Sequence, residues 1–336
     1  MLALSPSLVL CLSLAASGLD AKPQQKTWWL VMQAEQQWKA VRANGRETRT
    51  LPTPTWDWTF TLSPDQTKAA SGPSMVSLDK DGHEASRSSW IYLQDVTTGK
   101  RTDIMATMET DPKWYLTWSL DSRCLAYYSG PGLGPWQLRE LDTVDLKLHT
   151  VFSSITPLRQ IGYTAGRNIA FLRPAGVAAA AGAELMDLVV LEKPQPKVLV
   201  AGQPIIHFAF SPDGRTLAYT VRGELILHTL TTGIERRIRM SAINSDWPVT
   251  FITPLWRPDS QAVVCTLAAW AGWKDEEVQK YPFRQQPGLG QMVLVPLEDA
   301  PVVLEGGFHL EKGHQAFFTP CYWCEAKELP VPAKAP

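Results

Sequence analysis

The chain has 336 residues, of which 45% are hydrophobic and 19% are charged, and its formal net charge at pH 7 is −1. This balance excludes the strongly basic surface of a nucleic-acid-binding protein and predicts no attraction to anionic membranes. The 26 prolines and 22 glycines are scattered along the chain. Scattered turn-forming residues favour many short strands over long helices.

Residues 1–21 have the pattern of an export signal. Residues 8–16 form a short apolar stretch, LVLCLSLAA, followed by small residues, so cleavage is expected after Gly18 or Ala21. The stretch is too short to span a bilayer. We therefore expect an exported protein, periplasmic or extracellular, with no membrane span. Residues 1–7 lack Lys and Arg, and the alternative is a buried N-terminal strand.

Five repeat units follow along the chain, and they begin at Phe60, Leu116, Ile161, Phe208 and Pro254. The clearest unit, residues 208–238, reads FAFSPDGRTLAYTVRGELILHTLTTGIERRI. It divides into four strands separated by turns that contain Gly214, Gly223 and Gly233, where glycine supplies the positive φ that such turns need. The first strand of every unit alternates with a period of two, which indicates strand and excludes helix.

The repeat spacing predicts a β-propeller. The first turn of each unit starts at Ser63, Ser119, Thr164, Ser211 and Arg257, and these positions are 45 to 56 residues apart, as in four-stranded propeller blades. A sixth blade is expected from the two chain ends, with Phe308–Phe318 as its first strand and residues 27–51 as its later strands. We predict an all-β fold over residues 22–336, a single domain and a six-bladed propeller of four-stranded antiparallel blades. N- and C-terminal strands sharing one blade would close the ring.

These units resemble the propeller repeats of the TolB-like family, in which a strand is followed by SPDG and then by a strand reading like LAY. Residues 211–214 (SPDG) and 217–219 (LAY) match fully, whereas residues 63–65 (SPD), 257–259 (RPD) and 125–127 (LAY) match in part. The resemblance covers about residues 27–320 and implies the propeller fold with a general binding role. It implies no particular partner, because such repeats also occur in enzymes. The α/β domain that precedes the propeller in TolB has no counterpart among the predicted elements.

The cysteines divide into two kinds. Cys124 and Cys265 lie in apolar strand-like runs and are predicted to be buried hydrophobic residues. Cys321 and Cys324 form a CYWC sequence, which in an oxidising compartment is a possible disulfide. Free thiols are the first alternative, and a redox or metal site is the second.

Loop length and tryptophans point to one face of the ring. The predicted long loops are Gly72–Ser88, Gly130–Pro135, Pro174–Glu184 and Ala268–Gly290, and all of them lie on the face opposite the SPDG-like turns. The candidate binding residues on or near that face are Trp56, Asp57, Trp58, Trp114, Trp136, His207, Trp247, Trp270 and Trp273. Aromatic side chains with polar neighbours suit a protein interface or a sugar-stacking surface, and about half of them are expected to be buried between blades instead.

Patterns of catalytic residues are sparse. The sequence has no GxSxG, no Walker glycine pattern and no HExxH, so no catalytic residue, metal ligand or cofactor is assigned. The aspartates of the SPDG-like turns, Asp65, Asp121, Asp213 and Asp259, are interpreted as turn residues. His207 begins an inner strand near the central channel and is the one histidine with a plausible site role.

Three functions remain open from the sequence. The first is a monomeric, non-catalytic propeller that binds a protein or peptide partner in the cell envelope or outside the cell. The second is a propeller enzyme acting on carbohydrate with groups at the channel mouth, such as His207. The third is a sugar-binding module without catalysis. No nucleic-acid partner is expected.

Overall fold

The computed structural model describes residues 27–34, 37–44, 46–51, 60–71, 74–78, 84–107, 114–129, 135–178, 184–192, 195–221, 223–239, 249–270, 288–304 and 318–325. All regular secondary structure in these ranges is β-strand, and it forms six antiparallel sheets. Within the same ranges no helix is long and apolar enough to cross a membrane. The prediction of an all-β, six-bladed propeller is confirmed.

The N-terminal half of the chain supplies three strands of the closing blade and all of blades 1 and 2. The closing blade receives β1 (Trp28–Ala34), β2 (Gln37–Arg42) and β3 (Thr48–Leu51). Blade 1 contains β4 (Phe60–Leu62), β5 (Lys68–Ser71), β6 (Ser74–Leu78), β7 (Glu84–Asp95) and β8 (Arg101–Thr107). Blade 2 contains β9 (Trp114–Trp118), β10 (Cys124–Ser129), β11 (Trp136–Asp142) and β12 (Leu148–Ser154).

The C-terminal half supplies blades 3 to 5 and the last strand. Blade 3 contains β13 (Ile161–Tyr163), β14 (Ile169–Ala178), β15 (Glu184–Leu191) and β16 (Pro196–Gln203). Blade 4 contains β17 (His207–Phe210), β18 (Thr216–Val221), β19 (Glu224–Thr229) and β20 (Glu235–Arg239). Blade 5 contains β21 (Val249–Trp256), β22 (Ala262–Trp270), β23 (Gly288–Pro296) and β24 (Val302–Val303), and β25 (Phe318–Glu325) returns to the closing blade.

The core lies between neighbouring blades. Each blade starts at the channel with its inner strand, and the inner strands β4, β9, β13, β17, β21 and β25 follow one another around the ring. Alternate residues of β17 face opposite neighbours, so Phe208 and Phe210 pack against blade 3 while Ala209 packs against blade 5. Cys124 and Cys265 are buried in such interfaces as free thiols, as predicted.

The closing blade has the sheet order β25-β1-β2-β3, so strands from both chain ends share it. Its inner strand is Phe318–Glu325 rather than the predicted Phe308–Phe318, of which residues 308–317 lie outside the described ranges. The physical reason is burial. Leu30 of β1 pairs with Trp323, and the Trp323 side chain is buried against blade 5.

Cys321 and Cys324 both lie on β25. Three residues of extended strand span about 10 Å, whereas the Cα atoms of a disulfide are about 4.4 to 6.8 Å apart. The register of β25 against β1 shifts between Val31 and Met32, where Cys321 is skipped. A bridge between the two cysteines would need this local departure from extended backbone, and the disulfide stays a prediction.

Tryptophans at the ends of three inner strands pack against the preceding blade. The Trp118 indole N–H donates to the Thr61 carbonyl at 3.1 Å, and the Trp256 indole donates to the Ala209 carbonyl at 3.0 Å. Trp323 is equally buried, but its Nε1 has no hydrogen-bond partner in the part of the chain that the structure describes. The junction between blade 5 and the closing blade therefore lacks a hydrogen bond that two other junctions have.

This difference predicts that replacing tryptophan by phenylalanine lowers the free energy of unfolding by unequal amounts at the three positions. Trp118→Phe and Trp256→Phe each remove a satisfied buried donor and should destabilise the fold by about 1 kcal/mol more than Trp323→Phe does, because the volume lost is the same at all three positions. Chemical denaturation of the three variants measures the difference. Equal losses at all three positions would show that the Trp323 indole has an acceptor in solution.

Closure by β25 predicts that the ring depends on the C-terminal strand. A chain ending at Gly307 should lose its cooperative melting transition, because β1 would become an uncovered edge and blade 5 would lose the Trp323 contact. The matched control ends at Glu325, which keeps β25, and it should melt like the full chain. Thermal melts monitored by circular dichroism compare the two truncated chains with the full chain. An unchanged transition in the chain ending at Gly307 would contradict closure by β25.

Candidate functional site

The ring has two faces with different chemistry. The turn face carries the turns between each inner strand and the second strand, such as residues 211–215 in blade 4, together with the turns between third and outer strands. The hairpin face carries the connections between second and third strands and the connectors that lead from one blade to the next. These two names are kept below.

In blades 1, 2 and 4 the turn after the inner strand is held by a buried serine hydroxyl and a carboxylate. In blade 4 the Ser211 hydroxyl donates to Asp213 Oδ1 at 2.6 Å and accepts from the Thr216 amide at 2.9 Å. Asp213 Oδ1 also accepts from the Arg215 amide at 3.0 Å. Blades 1 and 2 repeat the serine–aspartate bond at the same distance through Ser63–Asp65 and Ser119–Asp121. The carboxylates are thus engaged inside their own turns.

The electrostatics of these carboxylates follow from the same bonds. Partial burial alone would raise the pKa of Asp213, but the Ser211 hydroxyl and the Arg215 amide donate to the ionised form and lower the pKa below its usual range. The pKa values of Asp65 and Asp121 are lowered for the same reason, with Ser63 and Ser119 as the leading hydrogen-bond donors against desolvation. These three turn aspartates are therefore ionised at neutral pH.

Neighbouring turns also bind one another around the channel. The Asp65 amide donates to Ser122 Oγ of blade 2 at 2.9 Å, and the Asp213 amide donates to Ser260 Oγ of blade 5 at 3.0 Å. Gln66 Nε2 donates to the Trp323 carbonyl at 2.8 Å, which joins blade 1 to the closing blade. Polar groups of the turn face are consequently used to hold the ring together.

The hairpin face is built from extensions of the blades. In blade 1 the second strand is interrupted, and β6 continues it along the first half of β7, from Ser74 opposite Ser89 to Leu78 opposite Glu84. In blade 5 β22 and β23 stay paired as far as Trp270 opposite Gly288, and in blade 3 pairing reaches Ala178 opposite Glu184. Parts of the predicted loops 72–88, 174–184 and 268–290 are therefore paired strand, and we call these paired extensions hairpin arms. Residues 179–183 and 271–287 lie outside the described ranges.

Four predicted site residues lie at the hairpin-face ends of strands. Trp114 begins β9, Trp136 begins β11, His207 begins β17 and Trp270 ends β22. The backbone of Trp114 and Trp270 is described, but their side chains are not. Five further residues lie outside the described ranges, namely Trp56, Asp57, Trp58, Trp247 and Trp273. The structure thus places the four described residues on one face and leaves their contact with a ligand untested.

Trp136 is packed against its own blade. Its ring meets Tyr128 edge-on with centroids 5.5 Å apart, and it lies beside the buried cluster between blades 2 and 3. The side chain is only partly exposed. Trp136 is one of the tryptophans that the interblade core accounts for, as the sequence analysis expected for about half of them.

His207 lies at the start of an inner strand, partly buried. Its amide donates to Thr220 Oγ1 at 3.1 Å, and its side chain shares the strand face of Ala209 towards β21. Strand β21 (VTFITPLW) has no ionisable residue. Burial, which disfavours the charged imidazolium, lowers the pKa of His207 to about 4. The imidazole is therefore neutral at pH 7 and can act as a hydrogen-bond acceptor.

The hairpin face also exposes two isoleucines that sequence reasoning missed. Ile155, in the connector from blade 2 to blade 3, is 90% exposed, and Ile206 in the next connector is also exposed. Arg159 and Glu184 form an ion pair at 3.1 Å on the same face. The sequence signal was the position of an apolar residue in a connector, outside the alternating strand pattern.

Blades 3 and 4 are tied by an amide beneath these connectors. Gln160 Nε2 donates to the Phe208 carbonyl at 2.9 Å, and the Phe208 amide donates to Gln160 Oε1 at 2.8 Å. The side-chain amide of Gln160 thus makes with the Phe208 backbone the two hydrogen bonds that a neighbouring strand would otherwise make. Among the described residues no group of three or more His, Cys, Asp or Glu side chains could hold a metal ion.

Comparison with known proteins identifies the fold. No model of a protein family matches the sequence, and the comparison with curated proteins gives no match either. The structure is similar to TolB from Acinetobacter baumannii, with 15% identity and a TM-score of 0.54, over 89% of this chain and 66% of that chain. It is also similar to a protein assigned as TolB in Agrobacterium tumefaciens, with 12% identity and a TM-score of 0.51, over 84% and 91% of the two chains.

These similarities show a TolB-like propeller fold, as the SPDG-like repeats predict. This chain spans just under two thirds of the length of the Acinetobacter baumannii chain. At these identities the likeness concerns the fold alone, because one propeller fold carries many functions.

The low pKa of His207 predicts an acid-sensitive ring. The His207 imidazole binds a proton near pH 6.5 in the unfolded chain and near pH 4 in the folded chain. The stability that its neutral form contributes is therefore fully present above pH 6.5 and is lost as the pH falls towards 4. The melting temperature of His207→Gln should therefore fall less between pH 7.5 and pH 5 than that of the wild type. The turn aspartates stay ionised in that range and do not contribute.

The control for this measurement is His149→Gln, at an exposed position of β12. It should keep the pH dependence of the wild type. If the melting temperatures of His207→Gln and the wild type fall by the same amount between pH 7.5 and pH 5, the imidazole is not buried in solution.

Proposed function

We propose that the chain is an exported, non-catalytic scaffold that holds a protein or peptide partner on its hairpin face. The observation that carries the proposal is the unequal use of the two faces. Hydroxyl and carboxylate groups of the inner turns are engaged in bonds within and between those turns, such as Ser211 to Asp213 and the Asp213 amide to Ser260. The hairpin face projects paired arms, and its Ile155 is 90% exposed, more than any other large hydrophobic residue of the described ranges.

Physical chemistry favours a macromolecular partner on such a face. Exposed isoleucines gain free energy when a partner removes them from water, at about 25 cal/mol per Å². The Arg159–Glu184 pair beside them supplies the polar rim that surrounds apolar contacts in protein interfaces. Trp114 and Trp270 lie at strand ends on the same face. The sequence prediction adds Trp56, Trp58, Trp247 and Trp273 to the proposed surface.

The remaining features of the proposal come from the sequence. An export signal in residues 1–21 would place the propeller in the periplasm or outside the cell. The propeller would form one domain over residues 22–336 and act as a monomer without a cofactor.

A second candidate function rests on His207. A neutral imidazole at the channel end of β17 could accept a hydrogen bond from a sugar hydroxyl, which suits a carbohydrate-binding module or a propeller enzyme acting on carbohydrate. His207→Gln separates the two functions, because it should weaken carbohydrate binding and leave partner binding on the connectors unchanged.

The proposal predicts that one exposed isoleucine matters for binding and another does not. Ile155→Asp places a charge on the hairpin face and should abolish capture of the partner from envelope extract, because a charge replaces the apolar contact. The matched control is Ile234→Asp, since Ile234 is 66% exposed on the turn face of blade 4. Affinity capture with quantitative mass spectrometry compares the two variants with the wild type.

A Trp270→Ala, Trp273→Ala double variant tests the blade 5 arm in the same assay, and it should capture less partner than the wild type. Identical capture by the wild type, Ile155→Asp and the tryptophan variant would remove the hairpin face as the binding surface. Loss of capture by Ile234→Asp would move the interface to the turn face.

A further inference from the structure

Exposed apolar side chains are concentrated at the outer strand of blade 2. Eight large hydrophobic residues of the described ranges are exposed, and four of them lie on or beside β12, namely Val144, Leu146, Val151 and Ile155. Strand β12 is the last strand of its sheet, and no described strand pairs with its outer side. Its edge therefore presents free backbone N–H and C=O groups between apolar flanks.

The same edge lacks the charges that usually protect an outer strand. Strand β12 reads LHTVFSS and is followed by ITPL, a stretch without Lys, Arg, Asp or Glu. The other outer strands of four or more residues each carry at least one charged residue, as Arg49 in β3, Arg101 in β8, Lys197 in β16 and Arg237 in β20 show. Charges on edge strands prevent pairing with other chains, so blade 2 is the exception among these blades.

The turn that leads into β12 holds a strained leucine. Leu146 has a φ of 58° and is 46% exposed, whereas the equivalent position of the turn is Gly99 in blade 1 and Gly233 in blade 4, both with a φ of 71°. A left-handed conformation costs a non-glycine residue about 1 to 2 kcal/mol. Blade 2 thus keeps an exposed apolar side chain in a left-handed conformation at a position where blades 1 and 4 have glycine.

Charges around the turn are already paired. Lys147 Nζ lies 3.1 Å from Asp145 Oδ2, and Arg123 Nε lies 3.0 Å from Asp142 Oδ2. Each pair joins one cation to one anion, so these four residues carry no net charge. The edge is therefore complementary to an uncharged segment.

We propose that the outer edge of β12 is a docking site for an extended, uncharged segment of a partner protein, which adds to blade 2 as a fifth strand. Main-chain hydrogen bonds to the open edge supply the affinity, and alternate apolar side chains contact Leu146 and Val151. Ile155 is shared with the hairpin face, but the docking site concerns the outer edge of blade 2, and the residues that test it, Leu146 and Val151, lie outside the hairpin face.

The register of β12 limits where the added strand can pair. Phe152 pairs with Leu138 and Thr150 pairs with Arg139, so Val151 is the extra residue of a bulge. A bulged residue is left out of the ladder. The added strand should therefore protect the outward-pointing amides within two short runs, Leu148–Thr150 and Phe152–Ser154, with Val151 unprotected between them.

The test uses a synthetic heptapeptide of alternating valine and threonine, and the same peptide with N-methyl groups on alternate residues. The unmodified peptide should slow amide hydrogen exchange in both runs of β12 in the full chain. The methylated peptide should not bind, because its donors towards the edge are blocked. Absence of protection by the unmodified peptide, or equal binding by the methylated one, would overturn the proposal.

Two matched variants locate the site. Val151→Lys adds the missing edge charge and should weaken peptide binding at least about 10-fold, equivalent to about 1.4 kcal/mol. Val198→Lys makes the same change on the outer strand of blade 3 at equal exposure, 40% against 39%, and should bind like the wild type. Equal weakening by both variants would show that the peptide does not bind at β12.

Leu146→Gly separates binding from folding. It relieves the left-handed strain and should keep or raise the melting temperature while it weakens peptide binding. A variant that binds the peptide normally would remove Leu146 from the site. Concentration-dependent dimers that Val151→Lys abolishes, together with no peptide binding, would overturn the proposal in favour of a second copy of this chain.

Discussion

The fold depends on the tight turn at which an inner strand folds back, and in blades 1, 2 and 4 a buried serine hydroxyl holds this turn. Ser211 is fully buried, and its oxygen both donates to Asp213 and accepts from the Thr216 amide, so the hydroxyl is satisfied without water. These two bonds fix the angle between the first two strands of a blade. Ser63 and Ser119 do the same in blades 1 and 2, which gives those blades the same first hairpin.

Fixing the turn also fixes the ring. The residue after the aspartate adopts a left-handed backbone, as Gln66, Ser122 and Ser260 show with φ near 60°. In this conformation Ser122 and Ser260 present their hydroxyls to the preceding turn. At Gly214 an added Cβ would lie 2.7 Å from the Ala165 side chain of blade 3, so glycine is required there by contact as well as by φ.

The repeats made the blade count and the sharing of one blade predictable, because turn chemistry and strand alternation are local. The closing strand was harder to place, since Phe318–Glu325 is identified by its pairing with β1, which the sequence does not show. The hairpin arms were predicted as loops because their irregular sequences hide the cross-strand register. At the candidate site, sequence located strand ends such as His207 but missed Ile155, whose exposure depends on the fold.

Blade 3 shows that geometry, and no particular side chain, is what the ring requires. Its turn, Thr164–Arg167, lacks the aspartate and is one residue shorter, yet Arg167 has the same left-handed backbone, with a φ of 64°. Arg167 reaches back to Asp121 at 3.3 Å, so a charged pair replaces the hydroxyl contact between neighbouring turns. Since different residues satisfy one backbone constraint on the turn face, sequence can drift while the propeller persists. The opposite face and the outer strands are under no such constraint, and there the chain departs most from its own repeat.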